Sequence, residues 1–348
     1  MRNYSISAII PVGPKESRVA LCLENLLRLS PPVDEVLIIA DGTNELAQAA
    51  AKKFGGSYVE SKYSKGPAYA RNQGAFVASS DILLFVDADV LIPSDLVSKI
   101  KVALNPENGI LACFGSYDDA PVASNFFSQY KNLFHHYVHQ ESCNEASTFW
   151  TGCGAVFSDV FKRIGGFDEK FFLPSVEDIE FGYRLRDAGY RIRLIHSLQV
   201  KHLKRWNAFS LLHTDFFQRA IPWSRMLLSR SSIPQELNLK MSSRVSGLAA
   251  VALLIGFFLI PFDWQIGSII SILAICVGGV LNIPLYRFFK RKRGLLFTTG
   301  VFFWTWFYYF YSTLGFVVAL IQHWWTSLFS GFKHTEKSNK NGAQISLD

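Results

Sequence analysis

Asp87 and Asp89 stand one residue apart at the end of the apolar run Ile82 to Val86, and that spacing suits them to chemistry. Alternate residues of an extended chain point the same way. The two carboxylates can therefore face one cavity and hold a hard divalent cation together with its phosphate ligand. The alternative is a polar strand end at a turn, because motifs this short recur without function. A second acid, Asp41, closes another strand candidate, Glu35 to Ala40, in the sequence Asp41-Gly42-Thr43-Asn44. His135, His136 and His139 invite a metal reading, since His135 and His139 share a helix face. The glutamate of an HExxH pattern is missing there, and a polar stripe beside aromatic residues explains them better.

Elements that would position these acids alternate along the chain. Ile82 to Val86 has the length and the β-branched or aromatic content of a strand covered on both faces, as in a parallel sheet. Its carboxyl end is where open α/β sheets bind ligands. Ser7 to Val12 reads as a first strand, Glu16 to Leu29 as a helix, Glu35 to Ala40 as a strand and Glu45 to Phe54 as a helix closed by Gly55-Gly56. A short strand at Tyr58-Val59 and a helix from Gly66 to Ala78 follow, and Leu111 to Tyr117 is a further strand. Alternating strands and helices imply parallel strands joined by right-handed crossovers, a doubly wound α/β layout. Pro174 to Asp178 opens a helix running to about Ala188, with Ser175 and Asp178 at capping-box spacing.

The 348 residues, 49% of them hydrophobic, suffice for two structural parts. Apolar residues crowd into Val245 to Trp325, so a soluble domain precedes a membrane domain. The start of the chain lacks the basic lead and long apolar core of a signal peptide, so the soluble part is expected in the cytosol. Five cysteines without CxxC spacing offer neither a zinc site nor a disulfide framework, and read as buried, reduced thiols. The net charge of +7 is explained by anionic lipid head groups rather than by nucleic acid, because many basic residues flank the apolar runs.

Five stretches taken together resemble an inverting family 2 glycosyltransferase of the GT-A fold: Ile39 to Asn44, Gly66 to Gly74, Leu84 to Asp89, Gly165 to Asp168 and Glu177 to Leu185. The resemblance covers roughly residues 5 to 205 and implies transfer of a sugar from a nucleotide diphosphate donor, UDP being the favoured nucleotide, with Mn or Mg. It implies that Asp41 contacts the nucleotide base, Arg71 the base or diphosphate, Asp87 the ribose side, and Asp89 the metal. Pro11 joins the donor side, and His202 is a further metal ligand of the kind some relatives have. Asp178 matches the position of the base that takes the acceptor's proton, with Glu177 orienting the acceptor or stabilising the turn. Trp150, Thr151 and Gly152 match the family's turn under the acceptor site. Where relatives carry two acids before the glycine of the base-binding loop, this chain has Ala40 and then Asp41.

Val245 to Ile260 and Ile266 to Leu285 each approach the length needed to cross a hydrocarbon core of about 30 Å. Arg244 precedes the first, and Arg287 and Lys290 to Arg293 follow the second, so both flanks belong in the cytosol by the positive-inside rule. Trp304 and Trp324, twenty residues apart, match two aromatic belts about 30 Å apart on a third span. The expected organisation is a cytosolic GT-A domain over 1–235, about three transmembrane helices over 236–330, and a polar tail over 331–348. The expected activity is hexosyl transfer to a lipid or lipid-linked acceptor at the cytosolic face of a bacterial-type plasma membrane. A processive polysaccharide synthase and a noncatalytic nucleotide-sugar-binding scaffold are the alternatives. Arg219 to Arg225 lacks the Gln-x-x-Arg-Trp spacing of processive synthases and reads as interfacial helix.

Overall fold

The computed structural model describes residues 4–61, 63–230 and 239–342, with side chains through Thr326. The β-branched run Ile6–Val12 forms β1, and Val19–Leu26 forms α1. That helix starts later than its apolar spacing suggests, because Glu16 and Arg18 are tied to one another in the preceding loop. Strand β2 (Glu35–Asp41) leads into α2 (Glu45–Phe54), whose Asn44 side chain accepts from Ala47 N at 2.9 Å and caps the helix. Strand β3 (Ser57–Ser61) and α3 (Pro67–Val77) follow. At the start of α3, Gly66 has φ +95°, and a Cβ there would lie 2.2 Å from the carbonyl oxygen of Phe172. Only glycine allows that approach.

The central strand β4 (Ile82–Val86) is fully buried, as its unbroken apolar sequence requires. The two-residue strand β5 (Val90–Leu91) follows the acids, then α4 (Leu96–Ala103), β6 (Ile110–Tyr117) and α5 (Phe126–Gln140). Strands β7 (Glu145–Ala146) and β8 (Cys153–Phe157), helices α6 (Ser158–Ile164) and α7 (Glu177–Asp187), and the long strand β9 (Arg191–His202) complete the sheet region. The strand order is β3-β2-β1-β4-β8-β6-β9-β5, with β7 on β9. Strands β3, β2, β1 and β4 are parallel, as the alternating elements imply. Strand β8 corrects the doubly wound expectation: it runs antiparallel between β4 and β6. The fold remains a mixed α/β sheet with mostly parallel strands.

Helix α7 carries a close approach of its own. A Cβ on Gly182 would lie 2.3 Å from Phe149 N and 2.5 Å from Thr148 C, both backbone atoms that cannot yield cheaply. Gly182→Ala is expected to cost about 1–3 kcal/mol and to lower the thermal midpoint in detergent by several degrees. An unchanged midpoint would show that the two backbones are free to part.

Helices α8 (Ala208–His213) and α9 (Ile221–Leu228) flank a π-helical segment, Thr214–Ala220. Beyond them, α10 (Met241–Leu259), α11 (Trp264–Leu281) and the first described part of α12 (Ile283–Gly342) are each long and apolar enough to cross a membrane. The second apolar run ends at Leu281 rather than Leu285. Asn282 stops it by donating to Gly278 O and Ser246 Oγ and accepting from Tyr309 Oη. Helix α12 is broken at Gly294, where φ is +81° and ψ 177°.

The chain forms two compact units that do not follow sequence order. One comprises Met1–Leu212, Pro234–Met241 and Ile283–Val301; the other comprises His213–Ile233, Ser242–Asn282 and Phe302–Asp348. Within the first, the start of α12 is fastened to α5 and to the loop before it: Phe289 stacks on Tyr130 and Arg293 Nε donates to Gln129 Oε1, both on α5, and Lys292 pairs with Asp119 in the loop. Within the second, α10 and α11 meet through small residues, Gly256 against Gly267 and Ser271. Cys22, Cys113 and Cys153 are buried as expected, but Cys143 and Cys276 are exposed, Cys276 because it faces outward from α11.

Candidate functional site

Both acids of the central motif emerge at the carboxyl end of β4, but they take different partners. Val90 of β5 is registered with His202 of β9, which brings Asp89 beside the end of that strand. The Asp89 carbonyl accepts from Leu203 N at 2.8 Å. Its Oδ2 lies 3.5 Å from His202 Nε2 and 3.6 Å from Arg18 Nη1. Burial pushes the Asp89 carboxyl up, but the close approach of His202 and the charges of Arg18 and Lys204 outweigh it and hold the group down at about 2. Asp89 is therefore ionised at any physiological pH.

Asp87 turns instead to Arg71 on α3, accepting from Nη2 at 2.8 Å. The other arm of Arg71 donates to Glu177 Oε1 at 2.9 Å, and both Arg71 and Glu177 are almost fully buried. Burial works against the guanidinium charge, yet Asp87, Glu177 and Asp178 more than compensate and raise its pKa. Glu177 also accepts from Ser175 N at 2.8 Å, so it anchors the turn into α7. Its acidic neighbours at the start of that helix suit the positive end of the helix dipole.

Asp178 is delivered by the same turn. Its Oδ1 accepts from Ile179 N at 2.8 Å, and its Oδ2 faces Thr151 N at 3.4 Å. The adjacent Gly152 carbonyl accepts from Asp87 N at 3.4 Å. The turn Trp150 to Gly152 therefore bridges Asp178 and the carboxyl end of β4. Trp150 is buried edge-on against Tyr117, with ring centroids 4.9 Å apart, and Tyr117 stacks on His202 at 4.2 Å. His136 Nδ1 lies 2.8 Å from the Tyr117 carbonyl and His139 Nδ1 lies 3.3 Å from that of Gly115, both ordinary structural contacts.

On the opposite flank, Asp41 receives three donors: Ser64 Oγ at 2.7 Å, Lys65 N at 2.7 Å and Gly66 N at 2.9 Å. It fixes the loop between β3 and α3. Pro11 is registered with Ile39 at the carboxyl end of β1. The predicted residues thus fall into an interlocked set (Arg71, Asp87, Glu177, Asp178, Thr151, Gly152), an Asp89–His202 pair, and a loop anchor at Asp41. Glu16, Arg18 and Tyr117 complete these surroundings and were not singled out from the sequence. Arg18 meets Asp89 across seventy-one positions, so no local pattern marks it.

Among the described residues no group of three or more His, Cys, Asp or Glu side chains is arranged to hold a metal. The pair Asp89 Oδ2 and His202 Nε2 nevertheless fits a hard divalent ion that takes its remaining ligands from phosphate and water. Adjacent ligands of a Mg or Mn ion with bonds of about 2.1 Å lie about 3 Å apart, and the pair is within half an ångström of that at 3.5 Å.

Residues 7–165 match the family model described as Glycosyl transferase family 2, and residues 133–207 match the N-terminal domain of galactosyltransferase. The chain is 25% identical over 222 residues to validoxylamine A glucosyltransferase of Streptomyces hygroscopicus subsp. limoneus, covering 53% of this chain and 48% of that one. It is 32% identical over 121 residues to 4,4'-diaponeurosporenoate glycosyltransferase of Staphylococcus haemolyticus, covering 33% of this chain and 29% of the relative. The chain thus matches less than half the length of either relative. In fold, it is similar to the mannosyltransferase PcManGT from Pyrobaculum calidifontis, solved with GDP-Man and Mn2+, at 16% identity and a TM-score of 0.62, over 90% of this chain and 87% of that one. Residues 7–165 form a glycosyl transferase family 2 domain, and the chain carries a GT-A fold.

Proposed function

We propose that this protein transfers a hexose from a nucleoside diphosphate donor to a lipid or lipid-linked acceptor at the cytosolic membrane face, with inversion and with Mn or Mg. The observation that carries the reading is the Arg71 bridge between Asp87 and Glu177, which draws Asp178 and the end of β4 around one site. A divalent ion held by Asp89 and His202 would neutralise the charge that builds on the departing diphosphate. Asp178 takes the proton of the acceptor hydroxyl as that oxygen attacks the anomeric carbon from the face opposite the leaving group. A single displacement of this kind inverts the centre and needs no second carboxylate to protonate the leaving group. It differs in that respect from the two-acid arrangement of most glycosidases.

Support for the donor class and the metal comes from the fold neighbour, whose structure holds GDP-Man and Mn2+, and support for an apolar acceptor from the three long apolar helices. Arg287, Lys290 and Arg291, exposed at the start of α12, favour the cytosolic side for that segment. Among the described residues three helices are long and apolar enough to cross a membrane, which are few for a polymer-extruding synthase. A noncatalytic scaffold would have no use for an acid at Asp178 backed by a buried Arg71 and Glu177.

Calorimetry on detergent-purified protein with UDP-, GDP- and dTDP-sugars, with and without Mn, tests the reading. One nucleotide is expected to bind with a requirement for Mn, and Asp89→Ala is expected to weaken that binding at least about tenfold, the scale of one lost charge-assisted contact. Binding of no nucleotide by folded protein would overturn the proposal, and binding indifferent to Mn and to Asp89→Ala would overturn its metal dependence.

A further inference from the structure

The loop between β1 and α1 lies at the carboxyl end of the sheet and is held from two sides. Asn44 Nδ2 donates to the carbonyls of Gly13 at 2.8 Å and Glu16 at 3.0 Å. Within the loop, Glu16 grips Arg18 in a two-point fork: Oε1 accepts from Nε at 2.8 Å and Oε2 from Nη2 at 2.5 Å. Oε1 also accepts from the Arg18 backbone N–H at 2.7 Å. One edge of the guanidinium is thus fully used, and Nη1 is aimed at Asp89, with Oδ2 3.6 Å away. That distance is too long for a hydrogen bond. The Arg18 side chain keeps 30% of its surface accessible, whereas Arg71 keeps 6%.

We propose that Arg18, aimed by Glu16, binds the terminal phosphate of the donor's diphosphate beside Asp89. This inference rests on the donor class proposed above and deepens it. A cation bound at Asp89 would repel a guanidinium a few ångströms away unless an anion lay between them. A diphosphate bridging the two satisfies both. Arginine presents a planar pair of N–H groups matched to phosphate oxygens, and a carboxylate fork pre-orients it so that little freedom is lost on binding. Neutralising Asp89 would not by itself call for Arg18, since His202 lies just as close to the same oxygen. Arg71 is poorly suited to the phosphate role, because both its arms are occupied by Asp87 and Glu177.

The test compares a nucleoside diphosphate with its monophosphate, using the base that the wild-type protein binds, by calorimetry on the full chain in detergent with Mn. Arg18→Ala is expected to weaken the diphosphate roughly ten- to a hundredfold and to leave the monophosphate unchanged. Arg18→Lys should recover part of the loss, and Glu16→Gln, which loosens the fork, should show a smaller loss of the same selectivity. Mn binding without nucleotide, followed by electron paramagnetic resonance, should be undiminished in Arg18→Ala. Equal diphosphate affinity in wild type and Arg18→Ala would overturn the inference while leaving the glycosyltransferase reading intact. Parallel loss of both nucleotides, or loss of Mn binding, would make Arg18 a structural partner of Asp89 and overturn it as well. A wild-type protein that binds neither nucleotide would remove both proposals together.

Discussion

Asp178→Ala lowers sugar transfer by about two to four decades, the scale of a lost general base, while donor affinity stays close to that of the unaltered protein. The expectation follows from where the carboxylate sits. Asp178 touches the turn at Thr151, which we propose lies on the acceptor side, and its own helix start at Ile179, whereas the predicted donor residues Asp41, Arg71 and Asp87 are held by other contacts. Removing it takes away a proton acceptor without dismantling the Arg71 bridge. Nucleoside diphosphate release from saturating donor in membrane preparations reads the rate, and calorimetry reads the affinity. A fall in affinity as large as the fall in rate would place Asp178 on the donor side and sink this division of roles.

Arg71→Met has the larger structural effect. It leaves the buried Glu177 and the partly exposed Asp87 without their shared cation. Removing one partner of a buried ion pair costs about 3–5 kcal/mol, and the loss here falls on the junction of α3, β4 and α7. The thermal midpoint of the full chain in detergent should drop sharply, and metal-dependent donor binding should vanish with it. Neutralising all three residues, as Arg71→Met with Asp87→Asn and Glu177→Gln, should recover much of the midpoint, because no uncompensated charge is then left buried. Donor binding should stay lost. If the single variant melts like the original protein, the bridge is not what joins these elements. If the triple variant melts no higher than the single one, packing rather than charge holds the junction.

Much of the α/β sheet was legible in the sequence, and the reasons are local. Ile82 to Val86 and Val36 to Ala40 are unbroken apolar runs, too short for a helix and rich in β-branched residues, which suits a strand covered on both faces. Asp41, Asp87 and Asp89 follow such runs directly, so their place at the carboxyl edge is a consequence of chain direction. Helix limits were less legible. Glu16 looks like the first residue of a helix, but its carboxylate is used to hold Arg18, and α1 starts at Val19. Asn282 sits in an apolar stretch that reads as continuous, and its side-chain hydrogen bonds to Ser246 and Tyr309 divide α11 from α12. The exposure of Cys143 and Cys276 was equally hidden, since a cysteine's burial depends on which face its element turns inward.

By itself, the sequence determined the alternation of strands and helices, the acids at strand ends, the helix start carrying Glu177 and Asp178, and the three apolar helices. Each of these depends on residues close together in the chain, where periodicity and chain direction act, although the helix start has Val176 rather than Ser175 at its cap. Only the tertiary structure decided the partners: Arg71 with Glu177 across 106 positions, Arg18 with Asp89 across 71, the antiparallel insertion of β8 between β4 and β6, and Tyr117 stacked on His202. Such pairings are set by the register of the sheet and by the need to neutralise buried charge, and neither leaves a mark in the spacing of neighbouring residues.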